Sequence, residues 1–510
     1  MAGCESGRRC QASVRVLRLG IVSFYHSPLR HKAVWAVPVV CLAAAAAAQP
    51  SIGIALACVL AAAAVWTWPG RVMHSTVFAV LAVRPSLDVF SDRHFGVGPF
   101  ATSPAVFFGL VVLLIAGVVF ARRARQGEQL WPVPGLRTAH LWLLTGYVVA
   151  LSSGWLFYGG AGFANGVREG TRMLSIVASF WLVSLWAAED TTRYRSGWTY
   201  LVFGSLVPAG VGLWQLMTGT GLQDPDGLMR LQATFSHPNS FGPYLVPWLL
   251  LAISAAAASS AGRWQLVYFA AAVATGTLIV LTYSRTAMLA AILGVGLLPL
   301  LQARHLGARF LKRVMIAAVC FALVSWFIAG DAIRARFQDI SFGRAALEAV
   351  AAGESENSFQ WRLMNWGQLV ALGTEHSIIG HGAGMTMVLN PLVSSVNGVP
   401  FNAHNDFVRW FFEGGTFGLI CYTLYCILLC RWSIRQARRA PQGRSPTAFA
   451  VAAAWLALLL LTAGTPEISL QTAVQYELYG FLALLSVSHI AKLSESRAGE
   501  QHPAMLPRSQ

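Results

Sequence analysis

From residue 33 to residue 490 the chain repeats one pattern: an apolar stretch about long enough to cross a bilayer, then a short polar or basic interval. In lipid, a continuous helix satisfies its own backbone hydrogen bonds, so a chain of this pattern is driven toward packed spanning helices. Composition agrees, because only 11% of the 510 residues are Asp, Glu, Lys or Arg, against roughly a quarter in an ordinary soluble domain. The expected fold class is all-α: a polytopic membrane helix bundle of about 12 to 14 spans, with a partly helical outer loop.

Spanning candidates fall near 33–49, 51–67, 105–121, 138–158, 173–188, 199–218, 241–260, 264–284, 286–301, 313–330, 408–430, 447–463 and 472–490. A weaker one covers 72–86 (VMHSTVFAVLAVRPS), interrupted by His74 and including Arg84 near its end. If that stretch crosses, the clusters Arg122, Arg123, Arg125, then Arg304 to Arg313, then Arg431 to Arg444 lie on the side of the N-terminus. Most of the 37 basic residues lie there too, and most of the 21 acidic ones lie opposite. This is the positive-inside pattern, so the crossing is expected and the N-terminal side reads as cytoplasmic. The net charge of +16 is therefore a topology signal, and no nucleic-acid partner is implied.

The resulting organisation is a basic cytoplasmic tail (1–32), an N-terminal membrane bundle (33–330), a large outer loop (331–407), C-terminal membrane helices (408–490) and a cytoplasmic tail (491–510). Within the loop, DAIRARFQDISFGRAALEAV has roughly helical spacing and suits the membrane surface. A second loop helix is expected from near Ser358, carrying Trp361, Arg362 and Trp366 and ending before a Gly-rich turn. Of the eight cysteines, Cys4 and Cys10 lie in the N-terminal tail and the others in apolar runs, so neither a disulfide framework nor a zinc site is expected. Gly380, Gly382 and Gly384 have no preceding strand and no following phosphate-binding helix, which argues against a dinucleotide site. Asp224-Pro-Asp226 resembles a metal-binding Asp-x-Asp, but followed by Gly227 it also reads as a turn.

The outer face collects residues that an apolar bundle does not need: Arg230, His237 and Asn239 in RLQATFSHPNS, Arg285 in TYSRTA, Arg362 in WRLMNW, and His404, Asn405 and Asp406 in AHNDF. Each has a plain structural reading. Arg285 suits a headgroup anchor, Arg362 a cation–π cover on a tryptophan, and His404 a neighbour of a helix cap. Their convergence on one side of a membrane bundle makes a functional site the stronger hypothesis. Glu413 and Glu477 suit either intramembrane relay acids or residues near the outer rim.

The order RxxATFxHPN, SRTA at a membrane boundary, WRLxxW, a GxGxG turn and AHND opening the next helix resembles the O-antigen ligase and polysaccharide polymerase superfamily. RPSLD at 84–88 resembles an N-terminal feature of many members. The motifs cover roughly residues 230–420, and the rest of the likeness is topological.

That resemblance implies an integral glycosyltransferase of a bacterial inner membrane, with its active site facing the periplasm. The donor would be a glycan on undecaprenyl diphosphate. The acceptor would be lipid A core or a growing glycan, and a chain-length regulator is a conceivable partner. No cofactor and no metal are implied. By motif position, Arg285 and Arg362 would bind the diphosphate, Arg230 more weakly, and His404 would act as catalytic base, with Asn405, Asp406 and Asn239 in support. His237 receives no catalytic role, because many members have another residue there. Chemistry suits the assignment: guanidinium groups stabilise a leaving diphosphate without a metal, and imidazole suits a general base at neutral pH. Attack opposite the diphosphate predicts inversion. Three rivals remain: a polymerase of the same superfamily, a flippase or transporter of lipid-linked glycans that uses the arginines only to bind, and a metal-dependent transferase using Asp224 and Asp226.

Overall fold

The computed structural model describes residues 69–90, 103–223, 228–259, 262–302, scattered positions from 308 to 330, 358–393, 400–439, 445–462 and 472–500. The expected spans at 33–49 and 51–67, the surface segment before Ser358 and the Asp224-Pro-Asp226 turn lie outside them. The described chain is an all-α bundle of long apolar helices of the kind that cross membranes. A two-residue hairpin is its one named sheet among these residues.

Helix α1 (Pro69–Phe78) continues through a π turn at Ala79–Val83 and a 3-10 turn at Arg84–Phe90. It runs the length of the bundle. His74 Nε2 meets the Tyr200 hydroxyl at 2.7 Å near one end, and Pro85 O accepts from Thr234 Oγ1 (3.2 Å) at the other. The weak candidate over 72–86 therefore belongs to a helical segment, Gly70–Phe90, long and apolar enough to cross. In the RPSLD stretch, Arg84 pairs with Asp88 at 2.8 Å and lies over the Tyr476 ring.

Helix α2 (Pro104–Arg125) starts on a Ser103 cap with proline in its first turn and ends on Arg122, Arg123 and Arg125, where cations oppose the helix dipole. Helix α3 (Pro134–Ala188) is a hairpin rather than one rod. Its backbone breaks at Gly159 (φ 57°, ψ −140°), and Tyr147 donates to Gly166 O at 2.6 Å across 19 residues of sequence. A straight helix would hold those positions roughly 28 Å apart. The two arms match the separate spans expected at 138–158 and 173–188. Glycine permits their approach, since a Cβ on Gly162 would stand 2.1 Å from Gly154 O. Removing the hydroxyl with Tyr147→Phe should cost about 1 kcal/mol of unfolding free energy, read from denaturant unfolding in detergent.

Helix α4 (Thr191–Thr218) begins on an Asp190 cap and ends at left-handed Gly219. The hairpin β1 (Leu222–Gln223) and β2 (Met229–Arg230) follows. Helices α5 (Pro238–Ala258), α6 (Arg263–Leu281) and α7 (Arg285–Gln302) follow; α5 and α6 are long and apolar enough to cross a membrane, and α7 is a shorter apolar helix. The expected loop helix is α8 (Ser358–Gly373). The last helices are α9 (Asp406–Arg439), α10 (Ser445–Thr462) and α11 (Thr472–Glu500).

The single span expected at 408–430 takes a different form. Helix α9 breaks at Gly415 (φ 64°, ψ −165°), and its first arm folds back on the second: Trp410 stacks on Tyr422, and Tyr422 donates to Asp406 Oδ2 at 3.1 Å. The Gly-rich turn fills the break. His381 N and Gly382 N donate to Phe412 O and Glu413 O (2.9 and 2.8 Å), while Thr416 N and Phe417 N donate to Ser377 O and Ile378 O. Groups orphaned at two helix ends thus find partners in one turn. Ala383 N reaches Ala150 O of α3, and Gly382 lies so close that a Cβ would stand 2.3 Å from Gly154 Cα. The glycines therefore act in packing, joining the two broken helices.

Candidate functional site

The site lies at the bundle end that holds the breaks of α3 and α9, the α6–α7 turn and the start of α5. Arg230, on β2, is buried and reaches across to that turn: its Nε donates to Thr282 O at 2.9 Å and its Nη2 to Asn239 Oδ1 at 3.0 Å. Leu231 N adds a bond to Leu281 O. In the turn, Tyr283 takes φ 47°, and Ser284 Oγ accepts from Ala287 N to start α7. Arg285 is the first residue of that helix. Arg230 thereby fixes the backbone that presents Arg285, and Asn239 fixes Arg230.

His237 caps α5, its Nδ1 accepting from Asn239 N at 3.0 Å, with Pro238 next in the first turn. Gly242, one turn on, brings α5 against α7, since a Cβ there would lie 2.6 Å from Ala287 Cβ. Sequence reasoning gave His237 no catalytic role, yet it stands within electrostatic reach of both Arg230 and His404. Its position before Pro-Asn was the available signal of a cap.

Helix α8 supplies Arg362 and holds the segment that carries His404. Trp366 Nε1 donates to Ala403 O at 2.7 Å, and Asn365 Nδ2 to Asn402 O at 2.9 Å. Asn390 Nδ2 bonds Asn365 Oδ1 and Phe401 O. So pinned, His404 adopts a left-handed backbone (φ 53°), uncommon outside glycine, and its imidazole meets the edge of Trp361 with centroids 5.4 Å apart. Asn405 Oδ1 accepts from Phe407 N and Val408 N, which makes it the cap of α9. Asp406 is buried and receives the Tyr422 hydroxyl. Both side chains anchor the helix start next to His404, and the ring that braces the imidazole is Trp361, whose role was not foreseen.

The electrostatics are those of a site short of negative charge. Burial and the neighbouring Arg285 lower Arg362 to about 10, which still leaves it charged at neutral pH. Its Nε is buried with no hydrogen-bond partner among the described residues. Burial lowers Arg230 as well. His404 falls to about 4 through burial, then Arg362, then His237; His237 falls to about 4 through burial and Arg230. Both imidazoles are thus neutral at pH 7, beside guanidinium groups gathered against their mutual repulsion. An oxyanion with several acceptor oxygens relieves that repulsion and satisfies the stranded donor. Among the described residues no three His, Cys, Asp or Glu side chains group as metal ligands.

A buried ionic network adjoins the site. Arg409 Nη2 contacts Glu169 Oε1 at 2.9 Å, and its Nε contacts Glu413 Oε1 at 3.1 Å. Thr386 Oγ1 donates to Glu413, and Arg172 pairs with Glu169. Of these residues, sequence reasoning singled out Glu413 alone.

Residues 270–423 match the family model described as O-Antigen ligase, a span that includes Arg285, Arg362 and His404. No curated protein matches the chain.

Proposed function

We propose that this chain, which belongs to the O-antigen ligase and polysaccharide polymerase superfamily through its residues 270–423, is a glycosyltransferase that moves a glycan from undecaprenyl diphosphate to a lipid or glycan acceptor at the periplasmic face of a bacterial inner membrane. The observation that carries the reading is the meeting of Arg285, Arg362 and His404, drawn from three separate segments, in one partly buried, cationic site.

In this mechanism Arg285 and Arg362 bind the diphosphate and stabilise the charge that grows on it as the anomeric carbon–oxygen bond breaks. Neutral His404 accepts the proton of the acceptor hydroxyl as its oxygen bonds the anomeric carbon from the opposite face. Products are an inverted glycoside, undecaprenyl diphosphate and a proton held on His404 until water removes it. Arg230 and Asn239 support Arg285 through the α6–α7 turn, and Asn405 and Asp406 support His404 through the start of α9. The arginines supply the charge compensation that a metal would otherwise provide.

A transfer assay on purified protein in EDTA, with an undecaprenyl-diphosphate oligosaccharide and candidate acceptors, tests the reading. Transfer to a single shifted acceptor identifies a ligase, and a lengthening ladder identifies a polymerase. Donor binding without transfer to any acceptor points to a lipid-linked glycan transporter, and activity lost in EDTA but restored by manganese or magnesium points to a metal-dependent transferase.

The pH profile gives a second check. A base must be neutral to act, and His404 in the free protein protonates only near pH 4. The acid limb of kcat/KM should therefore fall near pH 4 instead of near the ordinary imidazole value of about 6.5. Bound diphosphate favours the imidazolium, so the limb of kcat should lie at higher pH. An acid limb of kcat/KM at 6.5 would mean that burial and Arg362 do not lower His404 in the free protein.

A further inference from the structure

At the opposite end of the bundle, the last turns of α9 border an open cleft of about 420 Å³ between that helix, the segment 132–135 and Ser486 of α11. Arg431, Arg435 and Arg439 line it at a spacing of four residues, which sets them on one helix face over roughly 12 Å. All three are exposed. None has an ion-pair partner among the described residues, and none of the described residues lining the cleft is acidic.

The cleft is graded in polarity. Leu428 lines its bundle-facing end, one turn before Arg431, and Ile427 beside it is exposed on the apolar surface of the helix. Trp432 forms part of the wall and packs so tightly on Gly135 that a Cβ there would stand 2.9 Å from the indole. Pro132 and Pro134 stiffen the facing segment. A molecule fitting this shape has an anionic head for the three guanidinium groups and an apolar body that continues along the helix into the bilayer.

We propose that this cleft binds the phosphate headgroup of an anionic phospholipid from the membrane leaflet opposite the candidate active site. Positive charge at the end of a membrane helix is common and by itself only sets orientation. Here the arginines line a preformed cleft with a rigid indole wall and an apolar end, the arrangement in which basic residues between membrane helices hold lipid phosphates. The site is independent of the transfer reaction: from the Gly415 break to Arg435 is about 30 Å along the helix, roughly a bilayer's hydrocarbon thickness.

The test is lipid binding by full-length protein in detergent, followed by native mass spectrometry during titration with cardiolipin, with phosphatidylcholine and inorganic phosphate in parallel. Cardiolipin should bind wild type and Arg438→Gln alike, because Arg438 is exposed on the same helix but does not line the cleft. Arg435→Gln should weaken it roughly five-fold, and replacement of all three lining arginines on the order of a hundred-fold. Phosphatidylcholine should not compete. Should the triple variant fail to fold, the comparison of Arg435→Gln with Arg438→Gln decides. Equal weakening by those two would reduce the effect to diffuse charge and overturn the proposal. So would displacement of cardiolipin by inorganic phosphate at equal concentration, which would identify a site for a free anion.

Discussion

Alanine at Arg285, Arg362 or His404 is expected to lower transfer by about a hundred-fold or more while leaving the protein inserted and folded. Loss of one preorganised charge donor at a developing oxyanion lowers kcat by about 10²–10³, and loss of a general base by about 10²–10⁴. Arg362 should show the larger effect of the two arginines, since its Nε is a buried donor with no partner among the described residues. Arg362→Lys keeps the charge but loses the planar fork, so it should recover only part of the rate. If both arginines act on one diphosphate, as proposed, the Arg285→Ala, Arg362→Ala double variant should be less impaired than the product of the single effects. His404→Ala should also lose the acid limb near pH 4, which separates loss of a base from loss of a support. Initial rates with a defined donor, beside size-exclusion profiles of each variant, provide the measurement. Full activity in all three alanine variants would sink the site assignment.

Much of this site was legible in the sequence because polar residues are costly in an apolar bundle and therefore conspicuous. Arg285 and His404 lie near the edges of apolar runs, Arg230 and Arg362 lie in polar intervals, and the charge bias of the flanking segments assigns all four to one side. The loop helix was equally plain, since WRLMNWGQLVALG carries helical spacing up to a glycine turn. Residues that hold the site by backbone contacts were harder to see. Trp366 and Asn365 act through carbonyls of residues 402 and 403, and a carbonyl has no sequence signature.

The break at Gly415 escaped for a related reason, whereas that at Gly159 falls between two expected spans. An apolar run conveys length and hydrophobicity, whereas a reversal inside it depends on one glycine in the left-handed region and on what packs opposite. For α3 the two arms were long enough to read as two spans. For α9 the first arm, from Asp406 to the glycine pair at 414–415, is too short to register alone, so it merged with the span after it. The GxGxG turn had its meaning in that same reversal: Gly380 lies where a Cβ would stand 2.4 Å from Glu413 backbone carbon, a demand that only the assembled fold imposes.

The short arm of α9 is also where scaffold and site meet, and Arg409→Ala is expected to destabilise the protein by about 3–5 kcal/mol. Arg409 lies between the carboxylates of Glu169 on α3 and Glu413 on its own helix, and Glu413 is tied in turn to Thr386 beyond the glycine turn. Removing the guanidinium leaves the buried Glu413 carboxylate without its cation, while Glu169 keeps only Arg172, a greater penalty than the loss of either contact. Glu413→Gln in the Arg409→Ala background should recover part of the loss, with a coupling energy of about 0.5–3 kcal/mol between the two positions. Denaturant unfolding of the four proteins of that cycle measures it, and an Arg409→Ala midpoint equal to wild type would mean that the network carries no stability. Because the arm that the Arg409 side chain ties to α3 starts at the Asn405 cap, next to His404, loosening of that arm in Arg409→Ala should lower transfer together with stability. Arg362→Ala should lose transfer and keep its unfolding midpoint. That contrast distinguishes a residue that holds the arm in place from one with the proposed role on the diphosphate, even though both are arginines at the same end of one bundle.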